Sequence, residues 1–179
     1  MLFLTKDRTL AIPLLEGLLR YWPFANCVKE TLFLTELQEV LEVCEVEKVE
    51  PLIPKLFKRI VKCIGGIHLQ VADRAMCFFE NDYFLNILKT YKGETFPMLV
   101  PVIVDLAENH WHKILQESLI ALKTILKEID PYAFEESVKM TVKERKRYAV
   151  KQDEDERKNY DSRWNSLNMK LKSKLKDDY

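Results

Sequence analysis

The sequence predicts an all-α protein, and three observations support this fold class. Apolar residues recur at intervals of three and four along most of the 179 residues, which is the pattern of helices with one buried face. Only four glycines are present, too few for a protein rich in strands and tight turns. In addition, the segment that begins at Pro51 repeats at Pro97, an offset of 46 residues. A repeat of this length built from two helices predicts a HEAT- or armadillo-like α-solenoid, in which helix pairs stack on one another.

Eight helical segments follow from the periodicity and from the residues that begin and end helices. The first has Thr9 as its cap, and residues 21–23 end it with a proline. Asp130 is predicted to cap the eighth, with Pro131 at the first helical position, and this carboxyl-terminal helix is expected to be long. The six segments between them cover approximately residues 28–44, 48–64, 68–80, 81–90, 94–109 and 112–128.

The repeat makes antiparallel pairs of four of these segments, which are 49–64 with 68–80 and 94–109 with 112–128. The second helix of each pair has small residues at its centre. We expect these small residues where paired helices approach each other closely, at Ala72, Ala75, Ser118 and Ala121.

The first helix also aligns with the helix at 68–80, with an offset of 58 residues. It is therefore predicted to be the second helix of a pair, so that the chain begins in mid-repeat. A solenoid cut in this way exposes an apolar face, here part of Leu10, Leu14 and Leu18. We expect the isolated chain either to self-associate or to fold its carboxyl-terminal helix over an exposed surface.

The chain changes character near its carboxyl end, and we predict two domains. Residues 1–148 form the helical repeats, and residues 149–179 form a charged helical tail. Every residue from 151 to 159 is polar, so this stretch buries no core. An apolar stripe at helical spacing follows it, formed by Tyr160, Trp164, Leu167 and Leu171. Packing on its own chain, dimerisation and docking on a partner all stay open for this stripe.

Composition and charge argue against several classes of protein. The 28 Lys and Arg residues balance 28 Asp and Glu residues, so no nucleic-acid partner is indicated. The longest apolar run, 96–104, is too short to cross a membrane. The four cysteines form no C-x-x-C motif and lie among apolar residues, which indicates free thiols in a reducing compartment. We expect a cytoplasmic protein, and nuclear localisation stays open.

Motifs that carry catalysis are not found. The sequence contains no nucleophile elbow, no glycine-rich phosphate loop and no metalloprotease motif. His110 and His112 lie two positions apart, where helical side chains point to different sides, and no third zinc ligand follows at the usual spacing. We therefore expect no catalytic residue, no metal and no cofactor, and an enzyme is the least favoured hypothesis.

Several short phrases are more specific than the periodicity, and they occur in order. The residue groups that carry this resemblance are Lys6–Leu10, Leu18–Pro23, Lys29–Glu30, Phe33–Leu41, Pro51–Leu52, Leu56–Cys63, His68–Ala75, Asn81–Tyr83, Phe96–Pro101 and His110–Trp111. Together they resemble the B-prime regulatory subunit family of protein phosphatase 2A, over about residues 1–150. The chain departs from the family pattern at Asp73, where Glu is usual, and at residues 77–80, where Tyr-Tyr-Trp-Asn is usual.

The resemblance implies a non-catalytic HEAT-like subunit that binds the phosphatase scaffold and catalytic subunits and helps to select substrates. It also implies that the family's groove for Leu-x-x-Ile-x-Glu motifs lies upstream of the matched segment. No residue of this chain is assigned to that groove. The segment matched here belongs to the carboxyl-terminal half of the solenoid, which in the family helps to contact the catalytic subunit. A generic HEAT-type adaptor, unrelated to phosphatase, is the alternative.

Partner contacts are expected at polar residues near helix junctions, because turns on a solenoid are exposed and held by rigid helices. The predicted partner-binding residues are His68, Asp73, Arg74, Asn81, Asp82, Tyr83, His110 and Trp111. Structural roles compete with this interpretation. Arg74 can link neighbouring repeats, Asn81 can cap a helix, and His110 with Trp111 can close a turn.

Overall fold

The computed structural model describes residues 7–24 and 26–140, together with Trp164. The chain divides into two compact units, Met1–Lys139 and Met140–Tyr179. The predicted domain boundary between residues 148 and 149 lies outside the described residues, as does most of the charged tail. Trp164 is helical and 60% exposed.

All regular secondary structure in residues 7–24 and 26–140 is helical, which confirms the predicted fold class. The nine α-helices found there are α1 (Ala11–Arg20), α2 (Cys27–Val43), α3 (Val46–Val49), α4 (Ile53–Ile64), α5 (Leu69–Met76), α6 (Asp82–Thr90), α7 (Lys92–Asn109), α8 (Lys113–Ile129) and α9 (Pro131–Lys139). Three short 3₁₀ turns adjoin these helices, at Arg8–Leu10, Glu50–Leu52 and Cys77–Glu80. The helix that begins at Pro131 ends at Lys139, and residues 141–163 lie outside the described ranges.

Side-chain caps fix where several helices begin. Asn81 accepts hydrogen bonds from the backbone N–H of Tyr83 (2.8 Å) and Phe84, and Asp130 accepts one from Ala133 (2.9 Å), so both predicted caps are confirmed. The predicted cap at Thr9 is wrong. The first turn begins earlier, as a 3₁₀ turn whose cap is Asp7.

The predicted helix over 48–64 is divided at a proline. α3 ends at Val49, the 3₁₀ turn Glu50–Leu52 follows, and α4 then runs to Ile64. Pro51 has no backbone N–H to donate, and its ring crowds the preceding turn. Continuing an α-helix through this position would therefore lose a hydrogen bond and cost free energy. Only α4, and not α3, therefore corresponds to the first helix of the repeat.

Helix pairs α1–α2, α4–α5 and α7–α8 each pack together across a short turn. Across the pairs, α4 packs against both α1 and α7, and α2 packs against α5. The helices α1, α4 and α7 therefore form one layer. The offset of 58 residues predicted that α1 is the second helix of a pair. That prediction is wrong, because α1 packs with α2 as the first helix of its pair. It matches α5 in sequence only because amphipathic helices share one periodicity.

The predicted repeat is present, but the predicted offset of 46 residues is too long by three residues for the first helices, which is about one helical turn. With an offset of 43 residues, five buried residues of α4 fall on five buried residues of α7, and Pro54 falls on Pro97. The matched pairs are Ile53 and Phe96, Leu56 and Leu99, Phe57 and Val100, Ile60 and Ile103, and Ile64 and Ala107. For the second helices, an offset of 44 residues places Val71 on Leu115 and Ala75 on Leu119, all buried.

The corrected register explains which of the four predicted small residues are buried. Ala72 and Ala75 are buried, as predicted, with no exposed surface. Ser118 and Ala121 are exposed, because the buried face of α8 is formed by other residues, namely Leu115, Leu119, Leu122 and Leu126. The prediction of close approach at Ser118 and Ala121 is therefore wrong.

A cluster of four phenylalanines joins α6 to the repeats. The ring of Phe84 stacks on Phe57 with 5.0 Å between centroids, and it meets Phe78 and Phe79 edge-on. All four side chains are buried.

Near the start of the described chain, Leu10 and Leu14 are exposed and Leu18 is half-buried, as predicted. Within the described ranges, no helix has both the length and the apolar composition needed to span a bilayer.

Candidate functional site

Six of the eight predicted partner-binding residues lie at opposite edges of the helix layers, and Asp73 and Arg74 lie within α5 between these edges. His68 precedes α5, whereas Asn81 follows the 3₁₀ turn that continues it. The intervening twelve residues separate them by roughly 20 Å. His110 and Trp111 lie on the same side as His68, because Gly65 at the end of α4 lies beside the side chain of Leu106 near the end of α7.

The edge that holds His68 carries exposed apolar side chains as well. Ile67 is 85% exposed and Trp111 is 69% exposed. Tyr21, in the turn after α1, is 68% exposed, and the guanidinium of Arg20 lies 5.0 Å from its ring centroid. We call the residues Tyr21, Ile67, His68, His110 and Trp111 the turn edge.

Tyr21 and Ile67 were not predicted as partner-binding residues, because the prediction was based on polar residues at helix junctions. The signal that could have found them is an apolar residue placed between two helices. Position between helices does not decide exposure by itself, because Trp22 lies in the same turn as Tyr21 and is buried.

The turn between α7 and α8 is closed by its two histidines. The backbone N–H of His112 donates to Nδ1 of His110 (3.1 Å), and the N–H of Leu115 donates to Nδ1 of His112 (3.4 Å). The ring of His110 stacks on Trp111, with 5.7 Å between centroids. His110 therefore has the turn-closing geometry that was considered as its alternative role, while the indole of Trp111 remains exposed.

His68 leaves its imidazole available for a partner. Its backbone carbonyl accepts hydrogen bonds from Val71 (3.0 Å) and Ala72 (3.1 Å) at the start of α5, but its side chain makes no capping hydrogen bond. The residue is exposed. An exposed side chain on a backbone that is fixed by hydrogen bonds is suited to binding.

At the opposite edge, Asn81 and Tyr83 attach α6 to the end of α2. The side-chain amide of Asn81 donates to Glu42, and the phenol of Tyr83 donates to the carbonyl oxygen of Cys44 (2.5 Å). Partial burial raises the pKa of Tyr83 to about 12, with further contributions from Cys44 and neighbouring carboxylates. Asp82, between Asn81 and Tyr83, is exposed.

Arg74 links α5 to α2 through two neutral groups. Its Nε donates to the hydroxyl of Thr35 (3.0 Å) and its Nη1 to the side-chain oxygen of Gln38 (2.8 Å). The guanidinium also lies 5.7 Å from the ring centroid of Phe78. This is the inter-repeat contact considered for Arg74, although the partners are a hydroxyl and an amide instead of a carboxylate or carbonyl. Asp73 is exposed.

The described part of the chain contains cysteines and other groups that are able to bind metal. All four cysteines are free, as predicted. Burial raises the pKa of Cys44 to about 11 and that of Cys63 to about 12, so both remain neutral thiols at physiological pH. Within residues 7–24 and 26–140, no group of three His, Cys, Asp or Glu side chains is arranged to hold a metal ion.

Comparison with known proteins gives the family. The family model described as "Protein phosphatase 2A regulatory B subunit (B56 family)" matches residues 1–171. This match extends through the helical repeats and into the charged tail. It agrees with the resemblance that the ordered sequence phrases indicated.

Individual relatives carry the same description. The B' alpha isoform of the 57 kDa regulatory subunit of serine/threonine protein phosphatase 2A from Arabidopsis thaliana is 32% identical over 176 residues, which cover 98% of this chain and 34% of that protein. The B' beta isoform from the same plant is 34% identical over 75% of this chain and 27% of its own length. The delta isoform of the 56 kDa regulatory subunit from Homo sapiens is 28% identical over 86% of this chain and 26% of its own length. The chain thus spans about a third or less of these relatives.

Proposed function

This chain belongs to the B56 family of regulatory B subunits of protein phosphatase 2A, and we propose that it is a non-catalytic piece of such a subunit. In this proposal it binds the core formed by the scaffold and catalytic subunits, and it helps to direct the choice of substrates. The relatives are named as regulatory subunits of the phosphatase, which supports a non-catalytic role. Family membership also makes a generic adaptor unrelated to phosphatase the less favoured alternative.

We assign the contact with the core to the turn edge, and its exposed apolar side chains are the observation that carries this assignment. Trp111 and Ile67 are more than two-thirds exposed, yet each is fixed between two packed helices. Large apolar groups on a rigid support lose little conformational entropy when a partner covers them. Aromatic residues are also enriched where interfaces bury most of their binding energy.

The opposite edge is less suited to this contact. Asn81 and Tyr83 already bind α2, and Arg74 binds Thr35 and Gln38. A partner could use these groups only by replacing hydrogen bonds that hold the repeats together. Asp73 and Asp82 are exposed, but they adjoin these engaged residues and have no exposed apolar group beside them. We therefore narrow the proposed site to His68, His110 and Trp111, joined by Tyr21 and Ile67.

A binding measurement with the purified core tests the proposal. The chain, immobilised on a sensor, is exposed to the dimer of scaffold and catalytic subunits. We expect the double variant Ile67→Glu, Trp111→Glu to weaken binding at least about tenfold, because each change places a charge in an apolar contact. Tyr132→Glu is the matched control, since Tyr132 is 78% exposed but lies at the start of α9, on the other edge.

Equal loss in the control variant would remove the turn edge from the proposal. A chain that folds but shows no affinity for the core would contradict the function proposed for this piece. Circular dichroism and thermal unfolding of both variants separate a lost contact from a lost fold. A longer chain from the same gene then shows whether additional repeats are needed for binding.

We also propose a cytoplasmic location, with the nucleus as a second compartment. The four free thiols support a reducing environment.

Self-association of the isolated chain is a separate proposal, supported by the exposure of Leu10 and Leu14. Light scattering over a range of concentrations tests self-association, and a constant monomer mass would contradict it.

A further inference from the structure

The helix α4 carries an outer face whose charged residues are all basic. Its four charged residues are Lys55, Lys58, Arg59 and Lys62, and the helix contains no Asp or Glu. At 3.6 residues per turn, all four lie within about 100° of the helix circumference. The buried residues Leu56, Ile60 and their neighbours occupy the opposite side. We call Lys55, Lys58, Arg59 and Lys62 the basic face.

An exposed aromatic ring lies against Arg59 of the basic face. The guanidinium of Arg59 lies 4.5 Å from the ring centroid of Phe24 and 5.1 Å from that of Trp22. Trp22 is buried, and its indole N–H donates to Glu30 of α2 (2.8 Å). Phe24 is 68% exposed. Arg59 therefore holds Phe24 against α4 while one side of the ring remains open to solvent.

Basic charge is concentrated along α4 although the chain as a whole is neutral, and the nearest acidic residue that the contacts show is Glu30 of α2. Residues 36–50 contain six glutamates and a single lysine, whereas α4 contains four basic residues and no acid. The related positions of α7 do not share this character. With the offset of 43 residues, Lys55, Lys58, Arg59 and Lys62 fall on Met98, Pro101, Val102 and Asp105. The basic face is thus a property of α4 and does not follow from the repeat.

We propose that the basic face and Phe24 form a docking surface for an acidic peptide segment with an apolar side chain. Lys55 and Lys62 are exposed, and two helical turns, about 10.5 Å, separate them. An extended peptide spans this distance with about three residues, so carboxylates three or four positions apart reach both ammonium groups. Phe24 supplies the apolar contact. Complementary charge favours this partner and steers its approach.

Fluorescence anisotropy with a labelled synthetic peptide tests this proposal on the full chain. The probe is a peptide whose glutamates are spaced three and four positions apart, with one leucine among them. In a second probe, lysine replaces each glutamate. We expect binding of the acidic probe alone, with an affinity that falls as salt is added. The double variant Lys55→Glu, Lys62→Glu should weaken it at least about tenfold, because attraction becomes repulsion at two sites.

A matched variant on another helix controls for the net charge of the chain. Lys113→Glu, Lys127→Glu changes the charge equally on exposed residues of α8, and it should leave the affinity nearly unchanged. Phe24→Ala should weaken binding several-fold at every salt concentration, because the contact that it removes is apolar. Circular dichroism confirms that each variant is folded.

Several results would overturn the docking surface. They are the absence of binding at low salt, equal loss in the α8 variant, and equal binding of a single-stranded oligonucleotide with the same charge, which would indicate unspecific anion binding. None of these readouts involves the phosphatase core. The docking surface and the function proposed above can therefore fail independently.

Discussion

The phenol of Tyr83 donates a hydrogen bond of 2.5 Å to the carbonyl oxygen of Cys44, which ties α6 to the end of α2 across 39 residues of sequence. Cys44 follows the last residue of α2, where carbonyl groups lack partners within the helix. Tyr83 satisfies one of them. A side chain at the start of one helix thus completes the end of another.

Replacing Tyr83 with phenylalanine should lower the free energy of unfolding by about 1 kcal/mol at pH 8, because a partly buried carbonyl loses its donor. Urea denaturation measures this difference. The Asn86→Ala variant, changed at an exposed position of the same helix, should differ from the native chain by less than about 0.5 kcal/mol.

The contribution of Tyr83 should also depend on pH. Its pKa is raised from 10.0 to about 12, so the folded chain favours the neutral phenol. The stabilisation is therefore fully present below pH 10 and is lost as pH rises towards 12. The difference in stability between the native chain and Tyr83→Phe should shrink over that interval. A difference that stays constant between pH 8 and 12 would contradict the assignment.

Asp130 should give the opposite pH dependence. The backbone hydrogen bond from Ala133 lowers its pKa below 3.8, and the hydrogen bond from Lys92 lowers it further. Its contribution is present above the unfolded pKa and is lost as pH falls through the folded value. The melting temperature of Asp130→Ala should be lower than that of the native chain at pH 7, and the two should converge in acid. Lys92→Ala should reproduce only part of the effect.

The fold class could be predicted from periodicity, but the register of the repeat could not. Shifting an amphipathic helix by three residues returns nearly the same apolar pattern, so Pro51 and Pro54 are both reasonable matches for Pro97. Burial decides between them, because the offset that matches Pro54 with Pro97 places five buried residues of α4 on buried residues of α7, whereas the offset that matches Pro51 with Pro97 places only two, Ile53 and Phe57. Side-chain burial depends on neighbouring helices, which a single sequence does not reveal.

The candidate site shows the same division between local and distant effects. The caps at Asn81 and Asp130 depend on groups two or three residues away, and the sequence predicted both. The partners of Arg74, which are Thr35 and Gln38, lie 39 and 36 residues away. No local rule selects such partners.

Arg74→Ala should destabilise the chain by about 1–3 kcal/mol, because it removes two charge-assisted hydrogen bonds at a partly buried position. A double-mutant cycle with Gln38→Ala should show coupling, and a cycle with the exposed Asp73→Ala should show none beyond about 0.5 kcal/mol. Urea denaturation provides all the values. Coupling to Asp73 as strong as that to Gln38 would contradict the assigned role of Arg74.

The two alanines at positions 75 and 121 provide the sharpest test of the corrected register. The offset of 46 residues makes them equivalent, whereas the structure buries Ala75 completely and exposes Ala121. Ala75→Leu should therefore overpack the contact between helices and cost about 1–3 kcal/mol. Ala121→Leu adds the same atoms at an exposed position of α8 and should change stability by less than about 0.5 kcal/mol. Thermal and urea unfolding of the two variants give the comparison, and similar losses in both would restore the original alignment of α5 with α8.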